Sequence, residues 1–254
     1  MGSNYAAGID SGITYVGHAT LLVELAGVRV LTDPALRERI LHIRRQVPLP
    51  EPESLGRLDA IAISHPHLDH LDVKSLRRLG ADCPAIGPRG SAGALRRAGI
   101  GAVIEVQEGD RVPVGGLVVE AVPALHDGRR FPFGPLRPAL GYLFEASPSL
   151  YFAGDTDLFP DMEKLAGRVD IAAVPVAGWG PSVGAGHLDP KRAARAVAMI
   201  QPRIAIPIHW GTLAAGRKGV ASGLTAPGEF AAAVSRVAPQ VHVRLLAPGE
   251  RLSL

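Results

Sequence analysis

Ala60-Ile61-Ala62-Ile63-Ser64-His65-Pro66-His67-Leu68-Asp69-His70 is an apolar run that ends in four potential metal ligands within six residues. Ala60 to Ser64 reads as a buried strand. In extended backbone, residues i and i+2 project to the same side, so His65 and His67 can share one metal. The tighter turn at Asp69-His70 can aim those two side chains at a second metal. Imidazole and carboxylate together suit zinc, with iron and manganese as competitors. A solvated histidine-rich turn is the bland alternative, and the density of ligands argues against it.

Before this run, Ile13 to Tyr15, Thr20 to Leu25 and Val28 to Thr32 read as strands, the last two joined across Ala26-Gly27. Pro34 to Arg57 reads as a long surface loop. After it, Asp72 or Ser75 can cap a helix through Leu79, followed by a strand near Ala85 and a helix from Ser91 to Ala98. Arg111 to Val114 and Leu117 to Val122 form a hairpin across Gly115-Gly116, and Phe131 to Pro138 is a second Pro/Gly/Arg loop. Leu140 to Glu145, Leu150 to Ala153, Ile171 to Pro175, Ile204 to Pro207 and Val241 to Leu245 read as strands. Phe159 to Leu165, Pro190 to Ile200 behind an Asp189 cap, and Pro227 to Val237 read as helices. The segments Leu58 to Ile63 and Val169 to Val174 echo each other, and each strand leads towards a His-Leu-Asp. Two strand-rich halves with interleaved helices suggest two sheets packed face to face with helices outside. No linker interrupts the chain, so one domain over residues 1–254 is expected.

The chain has 254 residues, 47% hydrophobic and 20% charged, which excludes intrinsic disorder and allows a sizeable core. A net charge of +3 with no block of like charge gives no footing for nucleic-acid binding. One cysteine, Cys83, excludes an internal disulfide framework and fits a reducing cytoplasm. Met1 to Ala6 shows no secretory signal, and no apolar run reaches the roughly 18 residues of a membrane span. A cytoplasmic protein is expected.

Further ligand-type residues stand at strand ends: His126, Asp155 in Gly154-Asp155-Thr156, His209 in Pro207-Ile208-His209-Trp210, Asp33 after Thr32, and His18 in Gly17-His18-Ala19-Thr20. His187 stands just before the helix at Asp189. Of nine histidines, only His42 and His242 fall outside these places.

On these motifs the sequence resembles the metallo-β-lactamase-fold hydrolases. Gly17-His18-Ala19-Thr20, Leu31-Thr32-Asp33-Pro34, Gly154-Asp155-Thr156 and His209-Trp210-Gly211-Thr212 are most similar to one branch. That branch includes ascorbate-6-phosphate lactonases and N-acylphosphatidylethanolamine-hydrolysing phospholipase D enzymes, and the resemblance spans roughly Ile13 to Leu246. It implies an α/β fold, a four-layer αββα sandwich of two mixed sheets with helices outside and a metal site at one edge. It also implies two divalent ions, zinc in the first instance, with iron or manganese as alternatives. His65, His67 and His126 would hold the first ion, and Asp69, His70 and His209 the second, with Asp155 bridging. Asp33 would fix ligand orientation. His187 would be either a contact to substrate or leaving group, or a surface residue at a helix cap. His18 would be either a substrate-pocket residue or a buried histidine satisfied by backbone.

Two cations about 3.5–4 Å apart can bridge a water and bring its pKa towards neutrality. The expected reaction is hydroxide attack on an ester, lactone or phosphodiester of a small molecule, with Asp69 or protonated His187 as proton donor and therefore catalytic. No Gly-x-Ser-x-Gly offers a serine nucleophile, and Cys83 has no base near it in sequence. Asp155 stands where class B β-lactamases commonly carry Cys, and Asp127-Gly128-Arg129-Arg130 stands where the phospholipase subgroup usually has Trp-Ser. These departures argue against an antibiotic or a bilayer lipid as substrate. The arginines of Leu36 to Arg45 and Arg129 to Arg137 either hold a phosphate or carboxylate or are solvated loop residues. Phe131, Phe133 and Trp179 are candidates for an apolar wall, and Trp210 for packing. A nuclease of the same fold and an iron-dependent non-hydrolytic member are the alternatives. The expected partners are a small substrate and other copies of the chain, without nucleic acid or membrane insertion.

Overall fold

A computed structural model describes residues 10–130 and 135–254. The first half lays down β1 (Gly12–Gly17), β2 (Thr20–Leu25), β3 (Val28–Thr32), a small hairpin of β4 (Arg39–Ile40) and β5 (Ile43–Arg45), and β6 (Ala60–Ala62). Helix α1 (Val73–Leu79), β7 (Ala85–Pro88), α2 (Ala92–Arg97) and β8 (Val103–Val106) follow. The second half contains β9 (Arg111–Val114), β10 (Leu117–Pro123), β11 (Leu140–Glu145), β12 (Leu150–Phe152) and β13 (Ile171–Pro175). It continues through α3 (Pro190–Ile200), β14 (Ile204–Ile208), β15 (Leu213–Ala214), α4 (Gly216–Val237), β16 (His242–Val243) and β17 (Arg251–Ser253).

The strands form two seven-stranded mixed sheets, ordered β17-β1-β2-β3-β6-β7-β8 and β16-β14-β13-β12-β11-β10-β9, and a three-stranded one, β15-β5-β4. Side-chain alternation stacks the layers. Ala60 and Ala62 of β6 face the second sheet with Phe152 and Ala173, while Ile61 and Ile63 turn to Leu76 of α1 and Leu95 of α2. In the second sheet Tyr151 and Ala172 pack on Ile200 of α3 and Phe230 of α4. Both faces of the inner strands β6, β13 and β14 are covered, so these read as continuous apolar runs. The result is the αββα sandwich.

Local chemistry sets the turns. Ala26 (φ +51°) and Gly27 (φ +74°) give the β2–β3 hairpin the two left-handed residues that a type I′ turn requires. Asp72 caps α1 by accepting from Ser75 N at 2.9 Å, and left-handed Gly80 ends it.

The strand ends create the site. β12, β13 and β14 run parallel, with Phe152 beside Ala173 and Pro175 beside Ile208, so the chain leaves all three at one edge. β3 and β6 are parallel in the other sheet. Tyr142 Oη donates to Ile63 O at 2.7 Å and Leu140 N to Ser64 O at 3.0 Å, which joins the two edges.

Three readings are corrected. Pro34 to Arg57 is not an unstructured surface loop: it carries β4 and β5, and Ala35, Leu36, Ile40 and Ile43 are buried. The last helix begins at Gly216 and runs through Pro227 instead of starting there. Only His242–Val243 of Val241 to Leu245 is strand, and the unread β17 pairs with β1, Leu252 opposite Ile13.

Candidate metal centre

Asp33 turns off β3 with φ +33°, and its N–H donates to Ala62 O at 3.0 Å, beside the exit of β6. Its buried carboxylate accepts the Ser64 N–H at 2.7 Å, the Ser64 hydroxyl at 2.5 Å and His70 Nδ1 at 2.7 Å. One carboxylate thus ties down both ends of the His65–His70 turn. The Ser64 oxygen, its proton directed to Asp33, accepts from His65 Nδ1 at 2.9 Å. With Nδ1–H so engaged in both rings, their Nε2 lone pairs face inward.

The other sheet repeats the device with carbonyls. His126 Nδ1 donates to Gly186 O at 2.8 Å and His209 Nδ1 to Ala177 O at 2.9 Å. Gly154, with φ +60°, sets Asp155 against the first sheet; a Cβ there would meet Ser64 Cβ at 2.6 Å.

The free donors converge. His126 Nε2 lies 3.2 Å from His67 Nδ1, and His209 Nε2 lies 3.3 Å from His70 Nε2. Asp155 stands between the pairs: Oδ2 is 3.2 Å from His70 Nε2 and 3.9 Å from His65 Nε2, and Oδ1 is 3.4 Å from His209 Nε2. Two groups of four, His65/His67/His126/Asp155 and His18/Asp69/His70/His209, each offer atoms within 4.8 Å of one another. Facing lone pairs at these separations repel unless a cation or proton lies between them, and buried His65 Nε2 and Asp155 Oδ1 make no hydrogen bond among the described residues. The donor set fits divalent cations.

The electrostatics carry the same demand. Burial works against charge on Asp155, but His209, His70 and His187 outweigh it and hold the carboxyl well below its ordinary value. Burial likewise opposes charge on His70, but Asp155, Asp69 and Asp33 outweigh it and raise that imidazole well above 6.5. Burial pushes His65 well down and His126 down to about 4, keeping both neutral at pH 7.

His187 Nε2 lies 3.4 Å from Asp155 Oδ2, its Nδ1 donates to Ala185 O at 3.1 Å, and its side chain is 27% exposed. His18 is only 1% exposed and lies off the cavity. Its N–H donates to Thr212 Oγ1 at 2.8 Å and its carbonyl accepts from His209 N at 2.7 Å. Its Nε2 contacts Asp69 Oδ2 at 3.0 Å, which the sequence did not suggest. Trp179 lines the cavity over the site, and Trp210 stacks on Tyr15 at 5.7 Å. Phe131 and Phe133 lie outside the described residues. Burial pushes the Cys83 thiol up to about 11, which removes it as a nucleophile.

Sequence reasoning missed two contributors. Ile40 to Ile43 form part of the cavity wall, and only the alternation Ile40-x-x-Ile43 within an arginine-rich stretch hinted at it. Arg130 Nη1 donates to Pro66 O at 2.7 Å and Leu71 O at 2.9 Å, bracing the ligand turn from outside; nothing in the sequence marks this.

Residues 28–210 match the model of the Beta-lactamase superfamily domain. The chain belongs to the beta-lactamase superfamily. It is a metal-dependent hydrolase of the metallo-β-lactamase type, and its donor clusters fit that assignment. A UPF0173 metal-dependent hydrolase of Methanopyrus kandleri is 33% identical over 94% of this chain and 97% of its own length. N-acyl-phosphatidylethanolamine-hydrolyzing phospholipase D 1 of Caenorhabditis elegans is 31% identical over 80% of this chain and 65% of its own. The solved structure of Igni18, a metallo hydrolase of Ignicoccus hospitalis, superposes with a TM-score of 0.72 at 24% identity, covering 96% of this chain and 97% of that one. Among the described residues of this superfamily member, no helix is long and apolar enough to cross a membrane.

Proposed function

We propose that the chain hydrolyses an ester, lactone or phosphodiester bond of a small substrate with two divalent cations, zinc in the first instance. What carries this reading is the pair of opposed imidazoles, His126 against His67 and His209 against His70, with Asp155 between them. His65, His67 and His126 would hold one cation, Asp69, His70 and His209 the other, and Asp155 both. Bound there, the cations supply Lewis acidity and bring the pKa of water towards neutrality.

The chain's own residues do the rest. Asp33 fixes the orientation of His70 directly and of His65 through Ser64, while the Gly186 and Ala177 carbonyls fix His126 and His209. His187 lines the cavity, its Nε2 3.4 Å from Asp155 Oδ2 and its Nδ1 held by Ala185 O. It is thereby placed to hand a proton to a departing oxygen. Asp69 is buried against His18, which favours His187 over Asp69 as the donor.

The test is a panel of aryl phosphodiesters, esters and lactones with the zinc-loaded protein, together with metal analysis of protein purified without added metal. His67→Ala and Asp69→Ala are expected to lose activity by about a hundredfold or more, in the range of removing a metal-held electrophile. Activity that survives both substitutions defeats the reading; iron as the only metal recovered defeats the zinc assignment.

A further inference from the structure

The cavity over the cluster is about 540 Å³, a size that admits one small ligand. Its floor is the ligand cluster. Its opposite wall is apolar: Ile40, Leu41 and Ile43 of the β4–β5 hairpin, with Leu68 and Trp179. Leu41, 65% exposed, and Trp179, 39% exposed, stand at the mouth, and His42 packs edge-on to the indole at 5.0 Å. This wall is anchored. β5 pairs with β15, Leu213 opposite Arg45, and Ala215 N donates to Trp179 O at 2.7 Å. Arg45 donates to Ala35 O at 2.9 Å and Val16 O at 3.1 Å. Since β15 directly follows the turn bearing His209, the apolar wall is fixed to the same scaffold as the ligands.

Four arginines around it have protein partners. Two of them, Arg129 and Arg130, are among the described residues of the cavity wall. Arg129 Nε pairs with Asp127 Oδ2 at 2.8 Å, so an anion would have to share it with a carboxylate on the same wall. Arg130 is turned onto the Pro66 and Leu71 carbonyls. Of the hairpin arginines, Arg37 pairs with Asp72 at 3.1 Å and Arg39 Nε donates to Leu41 O at 2.6 Å. Bidentate recognition of phosphate or carboxylate needs a free guanidinium fork, and each of these four already has at least one nitrogen held by a protein oxygen.

We infer that the site takes an uncharged ester or lactone carrying a compact apolar group, which lies against Ile40, Leu41, Ile43 and Trp179. The inference rests on the hydrolase reading and narrows it: a phosphodiester or a carboxylate-bearing substrate is disfavoured.

The experiment uses the zinc-loaded full chain with two matched series. One is neutral, p-nitrophenyl esters and γ-lactones of increasing alkyl length; the other is anionic, bis(p-nitrophenyl) phosphate and the same lactones carrying a carboxylate. The neutral series is expected to lead by at least tenfold in kcat/KM. Its KM should fall about two- to fourfold per added methylene, up to the value for full burial of a CH₂. Trp179→Ala and Leu41→Ser should flatten that dependence on length. A lead for the anionic series that Arg129→Gln abolishes overturns the inference and leaves the hydrolase standing. No turnover in either series defeats the hydrolase reading instead. Tryptophan fluorescence then decides the pocket chemistry, with Trp179→Ala as the baseline for Trp210. Quenching by the alkyl lactone and not by its carboxylate supports the inference, and the reverse overturns it.

Discussion

His18 occupies the left-handed region at φ +58°, as does His209 at φ +62°, and neither is glycine. The two turns hold each other in place: His209 N donates to His18 O, and the rings lie 3.8 Å apart between centroids, tilted by 44°. With Nε2 on Asp69 Oδ2, His18 orients one ligand through its side chain and another through its backbone. His18→Ala should weaken retention of the second cation about 10- to 100-fold, the usual effect of removing a group that orients a ligand. With two cations bound as proposed, competition with a chelator should show the metal content fall from two per chain towards one, where a purely structural role would lower both sites together. That the seven expected side chains gather was legible because only His, Asp, Glu and Cys carry such donors, and because they stand at strand ends. The partner of His18 was not. Asp69 lies 51 residues away, and which nitrogen faces which oxygen depends on how two turns at the edge of one sheet, after β1 and after β6, dock. Arg130 shows the same limit, since its partners are backbone carbonyls that any sequence would offer.

Helix α4 shows packing overriding propensity. Glycine and an internal proline are the poorest helix formers, so the stretch from Gly216 to Ala226 reads as loop. In the fold, Gly219, Gly223, Ala226, Pro227 and Phe230 make one buried face. Gly219 lets the helix lie on the chain at Trp179: a Cβ there would sit 2.4 Å from the Trp179 carbonyl oxygen. Two effects of Gly219→Ala therefore oppose each other. Helix propensity would stabilise by about 1 kcal/mol, whereas a side chain forced into a packed contact costs about 1–3 kcal/mol. A backbone oxygen at that separation must move, so the contact wins and the variant should lose about 1–2 kcal/mol net. In a chain of this size that lowers Tm by a few degrees. A raised Tm would show that α4 and the Trp179 segment are free to separate. The β4–β5 hairpin was hidden for a related reason: Pro and Arg dominate the stretch Pro34 to Arg57 that contains it, while Ile40 and Ile43 bury against Ala35 and Leu213. The longer strands were legible because both of their faces are buried and their apolar runs are uninterrupted.

At the scale of the whole molecule the donors divide between the sheets. His65, His67, Asp69 and His70 leave the first, while His126, Asp155 and His209 leave the second. A cation held by both groups crosslinks the halves, so its removal should lower stability by about 2.7 kcal/mol relative to protein at a hundredfold excess over Kd. The echo between Leu58–Ile63 and Val169–Val174 made the two-sheet plan legible, but the crosslink depends on the distance between edges, which no segment encodes. The metal-free protein should also be the more acid-sensitive form. Burial holds His18 at about 3 and His126 at about 4, and lowers His65 and His67 as well. Folded, these four stay neutral where the unfolded chain takes up protons below about 6.5, so stability falls as pH drops from 6.5 towards 4. His70 and His187 are raised and act in the opposite sense: their contribution is present below 6.5 and is lost as pH rises through their folded values. Asp69 and Asp155 are lowered, so theirs is lost only at pH values below this window. With four imidazoles against two, the Tm of chelator-treated protein should fall between pH 7 and 5. The fall should be larger than in zinc-loaded protein, where the lone pairs of His65, His67 and His126 would be occupied. Equal slopes in the two forms would mean that these imidazoles do not meet around the cations.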